Sequence, residues 1–302
     1  SAPGFDANRL TKTIDKKYWQ YLNFDESKPL YNRAVQAMYP PASTYKPVGV
    51  LGGIEEGIVD PNHTKHRCPG GWRYGRRFFR CWKHSGHGIV DTVLSMAQSC
   101  DVFFYKVGVE LGVDKLAEYA SWFGLGRKTG IDLPYEKSGL LPTKAWKQKR
   151  HKQEWIPSET LSVSIGQGFN LVTITQMAKM AAMIANGGFE ITPHVAKQIE
   201  GEDGVVLRDF DSPKKKSKLA ESEALQWIKK GMIEVVHGRG TAKRLQQSPY
   251  KIAGKTGTAQ VFTWDPEKKK MIEEKDHGLF IGMAPYDDPK IVVAVIVEHG
   301  GG

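Results

Sequence analysis

Tyr250-Lys-Ile-Ala-Gly-Lys-Thr-Gly-Thr-Ala-Gln-Val-Phe262, with Gly278-Leu-Phe-Ile-Gly-Met-Ala-Pro285 and Ile291-Val-Val-Ala-Val-Ile-Val-Glu298 after it, decides the fold class. All three runs are apolar and β-branched over a strand's length. Tyr286-Asp-Asp-Pro289 supplies the turn between the last two. Upstream the pattern changes. Ala220–Val236 and Leu171–Asn186 have helical periodicity, the latter closed by Gly187-Gly188. Within residues 89–123, Val102, Phe103, Tyr105, Val109 and Leu116 fall near helical spacing, and residues 43–57 predict a helix opening at Ser43 after Tyr39-Pro40-Pro41. Residues 60–88, rich in Gly, His, Arg and aromatics, predict a hairpin or long loop, and residues 134–158 a basic loop. Helices early and antiparallel strands late, with no regular βαβ alternation, predict an α+β fold.

The 302 residues suffice for a large core, and 40% apolar with 25% charged residues is ordinary for a globular protein. The formal charge of +10 is dispersed except in Lys144–Lys152 and Lys214–Lys218. Neither run is interleaved with aromatics at base-stacking spacing, so no nucleic-acid partner is expected. No apolar stretch reaches the ~18 residues of a membrane span. The first and last residues read as loop, and both ends are expected to have been trimmed from a longer protein.

Three short motifs carry the chemistry. In Ser43-Thr-Tyr-Lys46 a helical i,i+3 spacing sets an amine beside a hydroxyl that needs a base to become nucleophilic. In Ser99-Cys-Asp101 a hydroxyl and a carboxylate project from a turn between helices, where capping alone is the plain alternative. In Lys255-Thr-Gly257-Thr258, strand alternation sends Lys255 and Gly257 to one face and Thr256 and Thr258 to the other, with Gly257 allowing close approach of a ligand. Each motif alone is weak. Ser212-Pro-Lys-Lys215, Ser248-Pro-Tyr-Lys251 and Lys128-Thr-Gly130 repeat parts of the pattern in loops.

The ordered set matches the serine penicillin-recognising pattern. The chain resembles the class B penicillin-binding proteins through Tyr39–Pro47, where Gly is usual at position 42, and through Gly124–Pro134. Ser164-Ile-Gly-Gln-Gly168 with Thr173, Ala185–Gly188, Gly238-Arg-Gly-Thr-Ala242 and His277–Pro285 add to the likeness. Asp rather than Asn at 101, with Gly86-His-Gly88 upstream, is similar to the cell-elongation members. The resemblance implies a transpeptidase domain over residues 1–302 with a five-stranded antiparallel sheet flanked by helices, as in serine β-lactamases. It implies a peptidoglycan D,D-transpeptidase that acts without a cofactor on stem peptides ending in D-Ala-D-Ala and is inhibited by β-lactams. The expected setting is the periplasm, on a protein anchored in the inner membrane beside a membrane glycosyltransferase. A serine β-lactamase and a β-lactam sensor are the alternatives; no Glu stands in the Glu-x-x-Leu-Asn setting that deacylation would need.

Carried onto these residues, the resemblance makes Ser43 the nucleophile, Lys46 its base, Ser99 the proton relay and Asp101 the partner orienting Lys46. Lys255, Thr256 and Thr258 would meet the substrate carboxylate, with the Ser43 and Thr258 N–H groups as oxyanion hole. Six of the eight Trp residues, at 72, 82, 122, 146, 155 and 227, are expected to be packing or loop anchors, and Gly166-Gln-Gly168 to be loop geometry. Some elongation members hold zinc beside the site through carboxylates, a His and a Cys before the second motif. His63, His66, Cys68, Cys81, His84 and His87 cluster in this sequence, with Cys68 and Cys81 flanking a hairpin tip at Tyr74-Gly75. A Cys68–Cys81 disulfide in place of a metal is the favoured expectation, with zinc or free thiols as alternatives. Cys100 is expected to stay unpaired.

Overall fold

The structure, a computed structural model, describes residues 2–11, 13–211, 213–265 and 269–301. The late apolar runs form β9 (Ala253–Asp265), β10 (Lys270–Ala284) and β11 (Ile291–Val297), an antiparallel sheet of order β11-β10-β9. The register sets Lys255 opposite Ile281, Gly257 opposite Leu279 and Thr258 opposite Gly278, and it shifts between Glu274 and His277. The resemblance implies five strands; among the described residues this sheet has three. The other short strands pair locally in four two-stranded sheets, and the segments concerned are only two to four residues long.

The helices are α1 (Lys16–Phe24), α2 (Lys46–Glu55), α3 (Thr92–Ala97), α4 (Asp101–Trp122), α5 (Lys144–His151), α6 (Glu159–Ser164), α7 (Ile174–Ala185) and α8 (Ala224–His237). A capping box closes the start of α7: Thr173 accepts from Gln176 N while the Gln176 side chain accepts from Thr173 N. Buried faces of α2, α4, α7 and α8 join Ile281 and Met283 of β10 in one core that includes Leu51, Phe103, Leu116, Met183 and Ile228. The α2–α4 contact depends on small residues. A Cβ at Gly49 would lie 2.9 Å from Phe104 Cδ1, and one at Gly52 would lie 2.8 Å from Tyr119 Cδ2. No helix is long and apolar enough to cross a membrane among the described residues.

The predicted hairpin region contains β1 (His66–Cys68), β2 (Gly71–Tyr74), β3 (Arg77–Arg80) and β4 (Gly88–Val90), with β2 paired to β3 and β1 to β4. The basic stretch 134–158 is less loop-like than expected, because α5 lies within it. Thr143 caps that helix by accepting from Trp146 N, and Lys149, Arg150 and His151 sit in its last turn, where positive charge is favoured. Its one buried residue is a cation: Lys147 is 2.6 Å from Glu159 Oε2. An apolar-period reading cannot see a helix whose buried face is an ion pair.

Candidate active site

Two prolines, Pro40 and Pro41, lead into a single 3₁₀ turn, Ala42–Tyr45, that runs directly into α2. Residues at i and i+3 eclipse in a 3₁₀ turn, which aligns Ser43 with Lys46. From Pro41 to Gly53 every residue is buried except Ser43, which reaches solvent. Ala42 takes a φ of 48°, a left-handed conformation that disfavours any residue with a Cβ. The turn is held from outside by Ala42 N donating to Gly166 O at 2.9 Å and Tyr45 Oη donating to Leu116 O at 3.2 Å.

The second motif sits between α3 and α4. Ser99 has a φ of 55°, and Asp101 is the first residue of α4. Lys46, fully buried, donates to Ser99 O at 2.8 Å, Ser99 Oγ at 3.0 Å and Asp101 Oδ1 at 2.7 Å. Its three donors are thereby matched, and among the described hydrogen bonds none joins Lys46 to Ser43. Catalytic contacts of this kind are often completed only when substrate binds. The other carboxylate oxygen, Asp101 Oδ2, accepts from Trp82 N at 2.9 Å, and the Trp82 indole N–H donates to Ser99 O at 3.0 Å. Trp82, expected to be a packing or loop anchor, supports both groups that grip Lys46.

Lys255 reaches the same hydroxyl from the sheet. It is fully buried and donates to Ser99 Oγ at 3.0 Å and to Thr256 O at 3.1 Å. Burial first, and then the charge of Lys46, hold its pKa well below the usual lysine range, while Asp101 opposes the shift. Gly257 is closely approached by the protein itself. A Cβ there would meet Thr44 Cγ2 at 3.1 Å and Pro41 O at 3.3 Å, so the nucleophile turn itself approaches β9 at this point. Thr256 pairs its hydroxyl with that of Thr241 at 2.5 Å. Thr258 is exposed, and its carbonyl accepts from Gln167 Nε2 at 3.1 Å. The decoy Lys128-Thr-Gly130 lies elsewhere, with Thr129 bonded to the Glu136 carboxylate. Ser212 of another decoy lies outside the described residues.

The cysteines correct the expectation drawn for them. Cys68 and Cys81 are free, buried thiols and form no disulfide. The β1–β4 pairing sets Cys68 opposite Gly88, and Cys81 N donates to Gly70 O, so the two cysteines are not opposite each other. Both sulfurs instead lie 3.5 Å from His87 Nδ1. Cys100, expected to stand apart, completes the group: one donor atom from each of Cys68, Cys81, His87 and Cys100 lies within 4.8 Å of the others. Hydrogen bonding from Cys100, helped by His87 and opposed by burial, pulls the Cys81 thiol down. The hydrogen bond with Cys81, together with burial, pushes the Cys100 thiol up. A tetrahedral site with Zn–S bonds of about 2.3 Å needs S···S separations near ~3.8 Å, within a small contraction of this arrangement. The donor set therefore fits a four-coordinate zinc ion, with thiols at 68, 81 and 100 and the imidazole of His87. His63, His66 and His84 do not join it.

A buried lysine pair converging on one hydroxyl, behind a serine presented at the head of a helix, brings together the three motifs read from the sequence. The chain belongs to the penicillin-binding protein transpeptidase family, whose profile, "Penicillin binding protein transpeptidase domain", matches residues 1–302. It is 40% identical over 309 aligned positions to the peptidoglycan D,D-transpeptidase MrdA of Acinetobacter baumannii, covering 99% of this chain and 45% of that protein. It spans about half the length of the curated relatives it matches. Among solved structures it is similar to Pseudomonas aeruginosa PBP2 in complex with WCK 5153, at 38% identity and a TM-score of 0.85, covering 99% of this chain and 63% of that one. A chain from a peptidoglycan synthase complex described as coordinating polymerization and crosslinking shares 36% identity at a TM-score of 0.85, with coverage of 100% and 50%.

Proposed function

We propose that this chain is the transpeptidase domain of a cell-elongation peptidoglycan synthase, with Ser43 as its acyl acceptor. The observation that carries this reading is the convergence of Lys46 and Lys255 on Ser99 Oγ, each at 3.0 Å. Ser43 Oγ attacks the carbonyl of the penultimate D-Ala, and its proton passes to Lys46 Nζ once substrate binding has released one of the three protons that this amine donates in the free enzyme. Ser99 gives its own proton to the leaving D-Ala nitrogen and is reprotonated from Lys46. The peptide C–N bond breaks, D-Ala departs, and a Ser43 ester remains. The amine of a neighbouring stem then attacks that ester, its proton returns along the same path, and Ser43 is released as the cross-link forms. Asp101 holds Lys46 in place. Lys255 supplies positive charge toward the carboxylate of the substrate or of a β-lactam, assisted by Thr256 and Thr258. Oxyanion donors from the Ser43 and Thr258 N–H groups would each be worth ~3 kcal/mol in the transition state.

Cys68, Cys81, His87 and Cys100 would hold one zinc ion, which supplies structural cross-linking rather than chemistry, since four protein donors close its coordination. The donor set lies next to the second motif: Cys81 precedes Trp82, and Cys100 separates Ser99 from Asp101. By likeness to the relatives, the domain works in the periplasm as part of a membrane-anchored protein alongside a glycosyltransferase. The synthase complex among the similar structures supports that partner. The test uses the full-length protein. Penicillin should give one adduct by intact mass, mapped to Ser43 and absent from Ser43→Ala, and purified stems should be cross-linked only when an acceptor amine is present. An adduct that survives Ser43→Ala overturns the assignment. Rapid turnover of a chromogenic cephalosporin supports the β-lactamase alternative instead.

A further inference from the structure

Among the described residues β9 is the edge of its sheet, paired only with β10. Edge strands expose unpaired backbone groups, and extended peptides bind by adding a strand to them. Two carbonyls of this edge are taken by side chains. Thr256 O accepts from Lys255 Nζ and Thr258 O from Gln167 Nε2, both at 3.1 Å. Lys255 is fully buried and fixed. Gln167 is partly exposed, on the loop between α6 and α7.

The backbone of that loop is clamped, so the freedom left is in the side chain. Gly166 O accepts from Ala42 N at 2.9 Å, and a Cβ at Gly166 would lie 2.1 Å from Ala42 O. Gly166 and Gly168 both have left-handed φ, 74° and 67°. The loop thus rests on the nucleophile turn and extends only its carboxamide across the cleft to Thr258. A rotation of the Gln167 side chain into solvent frees the Thr258 carbonyl without moving any backbone.

We propose that Gln167 is a specificity-determining residue: it caps the Thr258 carbonyl in the free enzyme and cedes it to an amide N–H on the acyl side of the substrate. This rests on the transpeptidase reading above. In a D-Ala-D-Ala stem the penultimate residue carries such an N–H one atom beyond the α-carbon of the scissile carbonyl. The acylamino N–H of a penicillin has the same placement. Ligands with that donor exchange one hydrogen bond for another, whereas ligands without it leave the cap closed. A net bond of ordinary strength holds the cap closed in most free molecules, which lowers the apparent affinity of N–H ligands by about fivefold.

The experiment measures the dissociation constant and the acylation rate constant of the full-length protein and of Gln167→Ala and Gln167→Met. One ligand is benzylpenicillin, which has the acylamino N–H; the other is imipenem, whose lactam ring carries a hydroxyethyl group there. Thermal midpoints check that both variants are folded. In both, benzylpenicillin is expected to bind about fivefold tighter with its acylation rate constant unchanged, while imipenem stays within about twofold. An equal fall for both drugs would show Gln167 to be a structural strap, and no change for either would show that the cap has no bearing on binding. Both results overturn the proposal. Absence of any Ser43 adduct in the wild type would overturn the transpeptidase reading itself, and is seen before any variant is compared.

Discussion

Lys46 and Lys255 donate to one atom: each amine nitrogen lies 3.0 Å from Ser99 Oγ. A hydroxyl oxygen has two acceptor positions, and both are used, so the Ser99 proton is left to point elsewhere. The Asp101 carboxylate balances one of the two lysines, at 2.7 Å from Lys46. The excess charge falls on Lys255, whose pKa is depressed by burial and by Lys46.

This depression has a signed consequence for stability. Unfolded Lys255 binds its proton up to the ordinary lysine range, and the folded protein loses it earlier. Between those two values the unfolded state binds more protons, so stability rises with pH. Below the folded value the full cost of the charged, buried amine is present. Urea unfolding of wild type and Lys255→Met across the neutral to alkaline range should show wild type gaining on the variant as pH increases. A constant difference would mean that Lys255 titrates normally.

Ala42 offers a stabilising substitution. Its left-handed φ of 48° costs an L-residue ~1 kcal/mol or more, which glycine avoids at some expense in unfolded-state entropy. Ala42→Gly is expected to raise the thermal midpoint by about 1–2 °C while leaving penicillin acylation unchanged. A lower midpoint would show that the buried methyl contributes more than the backbone strain costs.

Gly257→Ala acts in the opposite sense. The added methyl meets Thr44 and Pro41 and must widen the gap between β9 and the nucleophile turn. Overpacking of this kind costs about 1–3 kcal/mol. Small misplacements of reacting groups lower rates steeply, so the acylation rate constant should fall about tenfold with little change in drug affinity. Stopped-flow acylation separates the two quantities, and a loss confined to affinity would place Gly257 in ligand contact instead.

The sulfur cluster is tested by counting. Under denaturing, non-reducing conditions the full-length protein should show Cys68, Cys81 and Cys100 as thiols, with one zinc per chain in the native sample. Cobalt exchanged into the site should show the intense near-ultraviolet absorption of thiolate ligation. Removing the metal should lower the thermal midpoint. Recovery of a Cys68–Cys81 disulfide, with no metal bound, would restore the pairing that the sequence favoured.

The three motifs were legible because each depends on local geometry: one turn of helix for Ser43 and Lys46, one inter-helix turn for Ser99 and Asp101, one strand for Lys255 to Thr258. What sequence reading missed comes from distant parts of the chain. Trp82 acts partly through a backbone N–H, which no residue identity announces. Gln167 reaches a carbonyl 91 positions away. Cys68 and Cys81 were marked by their hairpin, but the fourth donor, Cys100, arrives from the turn between α3 and α4, and four-way convergence cannot be read pairwise. The helix α5 escaped because its buried residue is Lys147.

The thin contact at Gly49 bears on how drug resistance could arise. A Cβ at Gly49, on the helix that carries Lys46, would lie 2.9 Å from Phe104 Cδ1, so a substitution there would shift the Lys46 amine from a distance. On the transpeptidase reading proposed above, such a lesion would blunt drug and donor peptide together, because both need Lys46 in place. On that reading, substitutions at Gly49 lower acylation by every ligand alike, and ligand-selective effects arise elsewhere.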